Sequence, residues 1–363
     1  MDLSSGGPTQ SLANLCLSLQ TMGIHAPIAT LGAHPPTGLP IGLELHAFPT
    51  RPPHFLGRSP ALERFLIDTP SDLIHAHGIW LWSTLHARQA AAKRQVSLVI
   101  SPRGSLEPWC LNDKRHKKQL AWRLWEGANF RSAALLHATS TMEVDTLRNL
   151  GLRQPIALVP NGLEFPPTQH RDKGPRRRAL FLSRFHRKKG VDLLLRAWAE
   201  AHPFHPEWDL CLAGPDEGGT RAAMEQLARD LGITDSVTFS GPIYGSDKWS
   251  SLAASDLFIL PSHSENFGNV VIEALSQGVP VLTTQVTPWR ELVHQGVGWW
   301  VPLVDLVAAL TRALALPRPE LEAMGARGRH WAHTQFHTSV TGALMQQAYL
   351  WLLGQNSRPS HIF

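Results

Sequence analysis

Two glutamates eight residues apart, Glu265 and Glu273, have the types and the spacing that most clearly indicate chemistry. Glu265 lies in a polar loop after the apolar run 257–260, and Glu273 lies inside a helix that the apolar spacing of 268–277 predicts. The residues between them place backbone N–H groups near the start of this helix, where its dipole favours an anion: Asn266, Phe267, Gly268 and Asn269. Amides that hold a diphosphate and carboxylates that accept from hydroxyls predict a site for a ligand carrying both groups.

The elements around this segment alternate regularly between strands and helices. The run 257–260 is apolar throughout, as is typical of a buried parallel strand, and Gly278 with Pro280 ends the helix. Further strands are predicted at 26–31, within 72–80, and at 96–100, 135–140, 155–160, 179–183, 209–213, 237–239 and 279–283. The alternation predicts an α/β protein with two doubly wound parallel sheets.

Composition limits the classes of function. The chain has 363 residues, enough for two domains, and its net charge of +5 favours acidic partners. Three cysteines lie far apart and indicate a reducing compartment, and neither a membrane-spanning run nor a signal sequence is recognisable. We therefore predict a cytoplasmic protein. The sequence lacks G-x-G-x-x-G, which argues against a dehydrogenase, and it lacks the usual nucleic-acid-binding motifs.

The segment E-N-F-G-N-V-V-I-E from Glu265 to Glu273, with the strand before it and G-V-P-V-L-T-T after it, resembles a known motif. It is similar to the E-x7-E motif of the retaining family 4 glycosyltransferases, which have the GT-B fold and use nucleotide sugars. The resemblance implies two Rossmann-like domains facing a cleft, with a C-terminal helix that crosses back to the N-terminal domain. The expected ranges are an acceptor-side domain 1–165, a linker 166–178, a nucleotide-sugar-binding domain 179–335, and a crossover helix and tail 336–363. The tail from Gln355 is predicted to be disordered.

The same resemblance assigns roles to other residues of the second domain. Arg184 and Lys189, in the basic loop after strand 179–183, match the pair that grips the donor diphosphate. The alternative is a basic loop that only keeps the surface soluble. Gly214 follows strand 209–213, and Ile243 lies in a turn whose backbone would contact the nucleobase. Glu265 would hold sugar hydroxyls and position C1, and Glu273 would bind the ribose hydroxyls.

The N-terminal Gly6-Gly7 pair precedes an amphipathic helix over 10–21 and looks like the glycine loop that approaches the donor phosphates in this family. A flexible tail is the alternative. In the family a buried strand precedes this loop, and here that strand is missing. The expectation is either that the start has been placed too late or that the protein is impaired, because loss of a central strand removes two hydrogen-bond ladders.

The histidines of the predicted strand within 72–80 lie near a sheet end, where active sites of open α/β sheets form. His75 and His77 point to the same face and could pair on a metal, but no third ligand is recognisable nearby. We therefore predict no metal site and no cofactor, and the resemblance places His77 on the acceptor side.

The loop after strand 96–100 contains Arg103, closest to the position where many family members have a histidine that touches the donor sugar. Arg103 could bind a phosphate or an acidic sugar, or it could hold the loop by an ion pair. The segment from 101 to 109 resembles enzymes that act on lipid-linked or surface polysaccharides.

The segment 113–125 interleaves Trp122 and Trp125 with five cations at helical spacing, with Trp109 just ahead of it. Such a helix suits a surface of anionic lipid, so the protein could contact the inner face of a membrane. A solvated face opposite a tryptophan-rich core stripe is the alternative.

Taken together, the resemblance implies a hexosyltransferase that moves sugar from a nucleoside diphosphate to the hydroxyl of a glycan or lipid-linked acceptor, with retention. It would serve lipopolysaccharide, exopolysaccharide or other glycoconjugate synthesis. No two aspartates are two residues apart, so the D-x-D metal motif is absent and a metal-independent reaction is expected. The main rival is a non-catalytic nucleotide-sugar-binding protein of the same fold, and a sugar-nucleotide epimerase fits the basic pair and the glutamates less well.

Overall fold

The computed structural model describes residues 7–34, 40–167 and 174–363. The chain divides into two compact units. Unit 1 comprises Met1–Glu164 and Thr338–Phe363, and unit 2 comprises Phe165–His337. In each unit parallel strands alternate with helices, so the predicted α/β architecture with two Rossmann-like units is confirmed, although the strands of unit 1 divide into two sheets.

Unit 1 begins with a helix and contains two parallel sheets. Its elements are α1 (Gly7–Thr21), β1 (Ile28–Leu31), β2 (Leu45–Phe48), α2 (Pro60–Asp68), β3 (Leu73–His77), α3 (Trp82–Arg94), β4 (Ser97–Ser101), α4 (Pro108–Asn112), α5 (Arg115–Ala121), α6 (Gly127–Ser132), β5 (Leu135–Ala138), α7 (Thr141–Asn149), β6 (Ile156–Leu158) and, at the end of the chain, α15 (Thr338–Leu352). Strands β1 and β2 form one sheet and β3-β4-β5-β6 another. Within the described ranges, no strand joins the free edges of β1 and β3. Gly6 lies outside the described residues, as does the rest of the segment before α1, where the sequence predicts no strand.

The last helix completes the core of unit 1. Apolar side chains of α1 and α15 pack with those of β4, β5 and β6 in one buried cluster. The tail does not follow the prediction of disorder, because Ile362 is buried and pairs in antiparallel fashion with Ala157 of β6. Backbone bonds of 2.9 and 3.0 Å between Ile156 and Phe363 fix this end. A buried isoleucine in a short polar tail gives no periodic signal, which explains the wrong prediction.

Unit 2 contains one parallel sheet with the strand order β12-β11-β10-β7-β8-β9. Its elements are β7 (Arg177–Leu182), α8 (Val191–Ala201), β8 (Trp208–Ala213), α9 (Thr220–Asp230), β9 (Val237–Gly241), α10 (Gly245–Ala253), β10 (Leu257–Leu260), α11 (Asn269–Ser276), β11 (Val281–Thr284), α12 (Glu291–His294), β12 (Gly298–Val301), α13 (Leu306–Ala315) and α14 (Arg318–Phe336). The central strands β10 and β11 are fully buried. The uninterrupted apolar sequence of β10 predicts this burial, whereas β11 also buries Thr283 and Thr284, whose hydroxyls donate to the carbonyls of Leu260 and Ser262.

The order of strands in unit 2 changes direction between β7 and β10. From β7 the chain proceeds outward to β8 and β9, and it then returns to the other side of β7 with β10, β11 and β12. Ligands of open α/β sheets bind at such switch points, outside the carboxyl ends of the strands. The strand order therefore predicts a ligand site at the loops that follow β7 and β10.

No helix in the described part of the chain is both long enough and apolar enough to cross a membrane.

Helices α11 and α14 approach so closely that a side chain cannot be added between them. A Cβ atom on Gly325 of α14 would lie 1.9 Å from the carbonyl oxygen of Gly278, just past the end of α11. Alanine in place of glycine normally stabilises an open helix by about 1 kcal/mol. Here we expect Gly325→Ala to destabilise the protein by about 1–3 kcal/mol, because the backbone must shift to relieve the overlap. Urea unfolding measures the change.

Gly174→Ala is the matched control, because a Cβ atom there meets nothing within 4 Å. A Gly325→Ala protein as stable as the wild type would contradict the packing of α14 on α11.

Candidate functional site

The predicted donor-binding residues of unit 2 lie at the carboxyl ends of four neighbouring strands. Arg184 and Lys189 follow β7, Gly214 follows β8, and Ile243 follows β9. The segment from Glu265 to Asn269 follows β10, and Glu273 lies on α11. Because the sheet order is β10-β7-β8-β9, these residues gather at one edge of one sheet.

Two glycines allow the loops at this edge to meet backbone to backbone. A Cβ atom on Gly190 would lie 2.2 Å from the carbonyl oxygen of Pro261, and one on Gly214 would lie 1.8 Å from that of Ser183. The amide of His263 also donates to the carbonyl of Lys188 at 2.8 Å. The loop after β7 is therefore held directly against the loop after β10.

This backbone contact brings Lys189 to Glu265. The Lys189 ammonium donates a hydrogen bond to Oε2 of Glu265, and the two side chains are only 12% and 13% exposed. Because both side chains are mostly buried, removing either partner would leave the charge of the other poorly hydrated. The charge of Lys189 and that of Glu265 therefore depend on each other.

Glu273 has a lysine partner that the sequence did not indicate. Nζ of Lys248 on α10 lies 2.7 Å from Oε1 of Glu273. The two residues are 25 positions apart, and only the packing of α10 beside α11 brings them together. The sequence does not predict this pair, because nothing in the segment around Lys248 distinguishes it from other lysines on helices.

Arg184 makes a more exposed pair. Its Nη1 lies 2.9 Å from Oε2 of Glu217, and both side chains are about half exposed at 48% and 46%. Exposed pairs of this kind contribute about 0–1 kcal/mol. An incoming anion can therefore take over the Arg184 guanidinium at little cost.

The loop before α11 divides its residues between core and site. Phe267 is buried, and its ring packs on Trp289 with 5.1 Å between centroids, so only its backbone can contribute to binding. Gly268 has a φ of +79°, and a Cβ atom there would lie 3.1 Å from Cγ of Glu265. Glycine is thus required for both conformation and space, and it places Asn269 at the first position of α11.

In unit 1 the strand ends carry a cluster of histidines that the sequence only partly predicted. The register of β3, β4 and β5 sets His77 opposite Ser101, and it continues so that His137 lies on the other side of Ser101. His75 stacks on His77 with 3.9 Å between ring centroids. His137 belongs to β5, and its proximity follows from the strand order rather than from any spacing in the sequence.

The hydrogen bonds of this cluster have a single direction. Nε2 of His137 lies 2.9 Å from the Val159 carbonyl, which only accepts, so His137 Nε2 carries the proton and Nδ1 accepts from Ser101 Oγ at 2.6 Å. Ser101 Oγ then accepts from Nε2 of His75 at 2.7 Å, and Nδ1 of His75 accepts from the Tyr349 hydroxyl at 2.6 Å. Every member is satisfied as a neutral group.

Burial and a nearby cation keep these imidazoles neutral. Burial lowers the pKa of His137 to about 3, and the charge of Arg103 acts in the same direction. Burial likewise holds the pKa values of His75 and His77 well below their usual range, with further contributions from neighbouring histidines and Arg103. The cluster therefore contributes dipoles and no charge at neutral pH.

Arg103 lies beside the histidines in a left-handed conformation, with a φ of 53°. Its Nε and Nη2 donate to Nδ1 of His77 at 3.2 and 3.1 Å, and its Nη1 donates to Oδ1 of Asn161 at 2.6 Å. Among the residues that the structure describes, no carboxylate pairs with this guanidinium. The proposed loop-holding ion pair is therefore absent there, and hydrogen bonds to neutral groups hold the loop instead. Burial lowers the pKa of Arg103, and the charge of Glu143 opposes that effect.

The expectation that no third metal ligand lies near His75 and His77 was wrong, because His137 brings a third imidazole. One nitrogen from each of the three lies within 4.8 Å of the others. The residues nonetheless fit a resident cation poorly, since both nitrogens of His75 and of His137 are engaged in hydrogen bonds and Arg103 adds a positive charge. That the protein works without a metal remains a prediction.

A second strained position lies nearby at Trp80, whose φ is +79°. Its backbone N–H donates to Oε1 of Glu126 at 2.8 Å, and Glu126 is fully buried in a π-helical turn, Trp122–Glu126. Burial raises the pKa of Glu126, while its hydrogen bonds lower it. Strained residues and π-turns concentrate at functional sites. The sequence does not single out Glu126, because nothing in its own segment marks it.

The other predicted contacts of unit 1 are more limited. Gly7 begins α1, while Gly6 is outside the described residues. His77 is half-buried at the end of β3, within hydrogen-bonding distance of Arg103. The structure thus brings His77 and Arg103 together.

The pH dependence of stability tests the neutral histidine cluster. Unfolded histidine has a pKa of about 6.5, and the folded values are lower, so below about pH 6.5 the unfolded chain binds more protons and stability falls. Each histidine contributes up to about 1.4 kcal/mol per pH unit, and for His137 this loss continues down to its folded pKa of about 3. We expect His137→Gln to reduce the slope below about pH 6.5 by up to that amount. Urea unfolding at a series of pH values measures it, and equal slopes in the two proteins would contradict the assignment.

Comparisons with known proteins identify the family of this chain. Two family models match the chain: Glycosyl transferase 4-like domain over residues 6–162 and Glycosyl transferases group 1 over residues 165–331. GDP-mannose:cellobiosyl-diphosphopolyprenol alpha-mannosyltransferase of Komagataeibacter xylinus is 27% identical over 81% of this chain and 75% of its own length. The lipopolysaccharide core biosynthesis mannosyltransferase LpsB of Rhizobium meliloti is 33% identical over 40% of this chain, and the match spans 43% of that relative.

Among solved structures, sucrose-phosphate synthase from Thermosynechococcus elongatus superimposes with a TM-score of 0.78 at 21% identity, covering 97% of this chain and 94% of that one. At this identity the likeness establishes the fold, and the structural neighbours are glycosyltransferases of GT-B fold. The two matched models leave few residues of the chain unassigned. The chain belongs to the group 1 glycosyl transferases.

Proposed function

We propose that this protein transfers a hexosyl group from a nucleoside diphosphate sugar to an acceptor hydroxyl, with retention and without a metal ion. The observation that carries the proposal is the meeting of Lys189 and Glu265 at the switch point of the unit 2 sheet, with Glu273 on the helix that follows. A cation for phosphate and carboxylates for hydroxyls lie where an open α/β sheet binds its ligand.

The barrier of such a transfer is electrostatic. As the bond from C1 to the diphosphate breaks, C1 becomes cation-like and the leaving diphosphate gains negative charge. A fixed donor aimed at developing charge lowers a barrier by about 3–4 kcal/mol. Arg184, Lys189 and the N-terminus of α11 at Gly268-Asn269 would supply such donors for the diphosphate.

The carboxylates would position the two ends of the donor. Glu265 accepts hydrogen bonds from hydroxyls of the transferred sugar, and Glu273 accepts from the ribose. The backbone at Ile243 and Gly214 would contact the nucleoside and the diphosphate, and that at Asn266 and Phe267 the sugar. The departing phosphate would serve as the base for the acceptor, so no protein nucleophile is assigned.

Unit 1 would contribute Arg103, Gly6 and Gly7 to donor binding and His77 to the acceptor. A guanidinium whose hydrogen bonds all go to neutral groups suits a phosphate or an acidic sugar. The relatives named for a diphosphopolyprenol acceptor and for lipopolysaccharide core synthesis support a glycan or lipid-linked acceptor, in polysaccharide or glycoconjugate synthesis. The reaction would take place on the cytoplasmic side of a membrane.

A second candidate is a protein of the same fold that binds nucleotide sugars without turnover. Its support is the division of the unit 1 strands into two separate sheets within the described ranges. A protein of this second kind would bind the donor but would neither transfer its sugar nor hydrolyse it, and that difference can be measured.

Calorimetric titration with UDP and GDP, followed by hydrolysis and transfer assays with the matching sugar donors, separates these candidates. We expect one nucleotide to bind and its donor to turn over. Glu273→Ala and Lys189→Ala should each weaken donor binding or turnover at least about tenfold while the fold persists, because each removes a charged hydrogen-bonding group from the site.

Gly174→Ala, at an open surface position, is the control for handling and folding. Kinetics like those of the wild type in both site variants would refute the assignment of these residues. A folded wild-type protein that binds neither nucleotide would refute the proposed function.

We also propose that unit 1 contacts an anionic membrane surface through helix α5 and the π-turn after it. Leu120 and Leu124, four residues apart on one helix face, are 58% and 65% exposed. The same segment, residues 114–124, also exposes four cations: Lys114, Arg115, Lys117 and Arg123. The predicted tryptophan stripe does not carry this contact, because Trp122 packs on Phe130 in the core. Exposed leucines among cations match an anionic lipid surface.

Sedimentation with vesicles tests this surface. We expect the double variant Leu120→Gln, Leu124→Gln to bind vesicles of phosphatidylglycerol and phosphatidylcholine at least about tenfold more weakly than the wild type, because burial of each leucine contributes about 1 kcal/mol or more. Val304→Gln, at an 89% exposed valine of unit 2, is the control. Equal binding of all three proteins, or no binding by the wild type, would overturn the membrane proposal.

A further inference from the structure

Two contacts hold the ammonium group of Lys248 in one position, one with a carboxylate and one with an aromatic ring. Its Nζ lies 2.7 Å from Oε1 of Glu273 and 4.7 Å from the centroid of the Trp249 indole ring. The lysine side chain is 25% exposed and the glutamate side chain 13%. A long flexible side chain with a charged end loses rotamer freedom in such a position, and these two contacts offset that loss.

The pair differs from the surface ion pairs of the molecule. The half-exposed pair of Arg184 and Glu217 can open to water at little cost. Glu273 is mostly buried, so without a cation its charged form would be poorly solvated. Lys248 therefore stabilises both the charge and the rotamer of this carboxylate.

The pair also leaves the carboxylate half available. The hydrogen bond of Lys248 goes to Oε1, and in the described part of the chain no other donor bonds to the side chain of Glu273. A carboxylate has about four acceptor positions on its two oxygens. Oε2 thus remains able to accept from a ligand with neighbouring hydroxyls while Oε1 stays anchored.

We propose that Lys248 is a positioning residue for ribose recognition: by anchoring Oε1 of Glu273, it orients Oε2 to accept from the ribose hydroxyls of the nucleotide. This rests on the proposed function, in which Glu273 contacts the ribose. Lys248 itself touches Glu273 and Trp249 and is assigned no contact with the reacting atoms. It parallels Lys189, which pairs with Glu265, so each glutamate of the pair has its own lysine.

The test combines a variant with a modified ligand. Titration calorimetry with Lys248→Met is done with UDP and GDP and with their 2′,3′-dideoxy counterparts, which lack the ribose hydroxyls. For whichever ribonucleotide binds the wild type, we expect Lys248→Met to weaken binding about tenfold, the effect of one hydrogen bond to a charged group. For the dideoxy nucleotide the variant should bind within about twofold of the wild type, because the hydroxyls through which Lys248 acts are missing.

Two further variants complete the design. Lys248→Arg keeps the charge and should restore most of the affinity, and it also serves if the methionine variant folds poorly. Lys93→Met, at an exposed lysine of unit 1, is the control and should bind like the wild type. In turnover assays Lys248→Met should raise KM for the donor and leave kcat within about twofold, since the lost interaction involves the nucleoside in both ground and transition states.

The outcomes separate the two levels of inference. A wild-type protein that binds neither ribonucleotide overturns the proposed function and this inference with it. If the wild type binds and Lys248→Met binds equally well, only the role of Lys248 is overturned. An equal loss for ribonucleotide and dideoxy nucleotide also overturns it, because the lysine would then act on the phosphates or on the fold.

Discussion

The backbone of Gly190 lies directly against the carbonyl of Pro261, and the meeting of Lys189 with Glu265 depends on that contact. It is possible because β7 and β10 are parallel neighbours that end at the same edge, and because residue 190 has no side chain. A residue with a Cβ atom would push the loop after β7 away and separate Lys189 from Glu265. Thus a steric condition on one glycine, set by the strand order, determines an electrostatic feature many residues away in the sequence.

The charged side chains at this edge of the unit 2 sheet form three ion pairs with one another. Glu265 pairs with Lys189, Glu273 with Lys248, and Arg184 with Glu217. A diphosphate would attract Lys189 and Arg184 while sugar hydroxyls satisfy Glu265, and Glu273 would keep Lys248 on Oε1 while Oε2 accepts from the ribose. A simple anion would draw Lys189 away and leave the mostly buried Glu265 without its partner, which is costly. The pairing therefore selects for ligands that carry hydroxyls as well as phosphate.

At the strand ends of unit 1, neutral hydrogen-bonded groups take the place of the ion pairs found in unit 2. Its polar core at the strand ends is neutral, with a directed series of hydrogen bonds from Tyr349 through His75 and Ser101 to His137. Such a network is rigid because each proton has one place, and it resists protonation because burial and Arg103 both disfavour added charge. Tyr349 comes from α15, so the helix that ends the chain also holds this network in place.

Local patterns in the sequence predicted most of the strands and helices and the segment around Glu265, because apolar periodicity and glycine positions are local properties. They did not predict the edge strand β12. What they could not predict depends on which strands and helices are neighbours. His137 joins His77 only because β4 separates their strands with Ser101 level between them, and Lys248 joins Glu273 only because α10 packs beside α11. Glu126 ends a π-turn and accepts from the backbone of Trp80, a partner 46 residues away that its own segment does not indicate. These residues are fixed by tertiary register, and a group that is unremarkable in its own segment becomes part of a site when a neighbouring element supplies its partner.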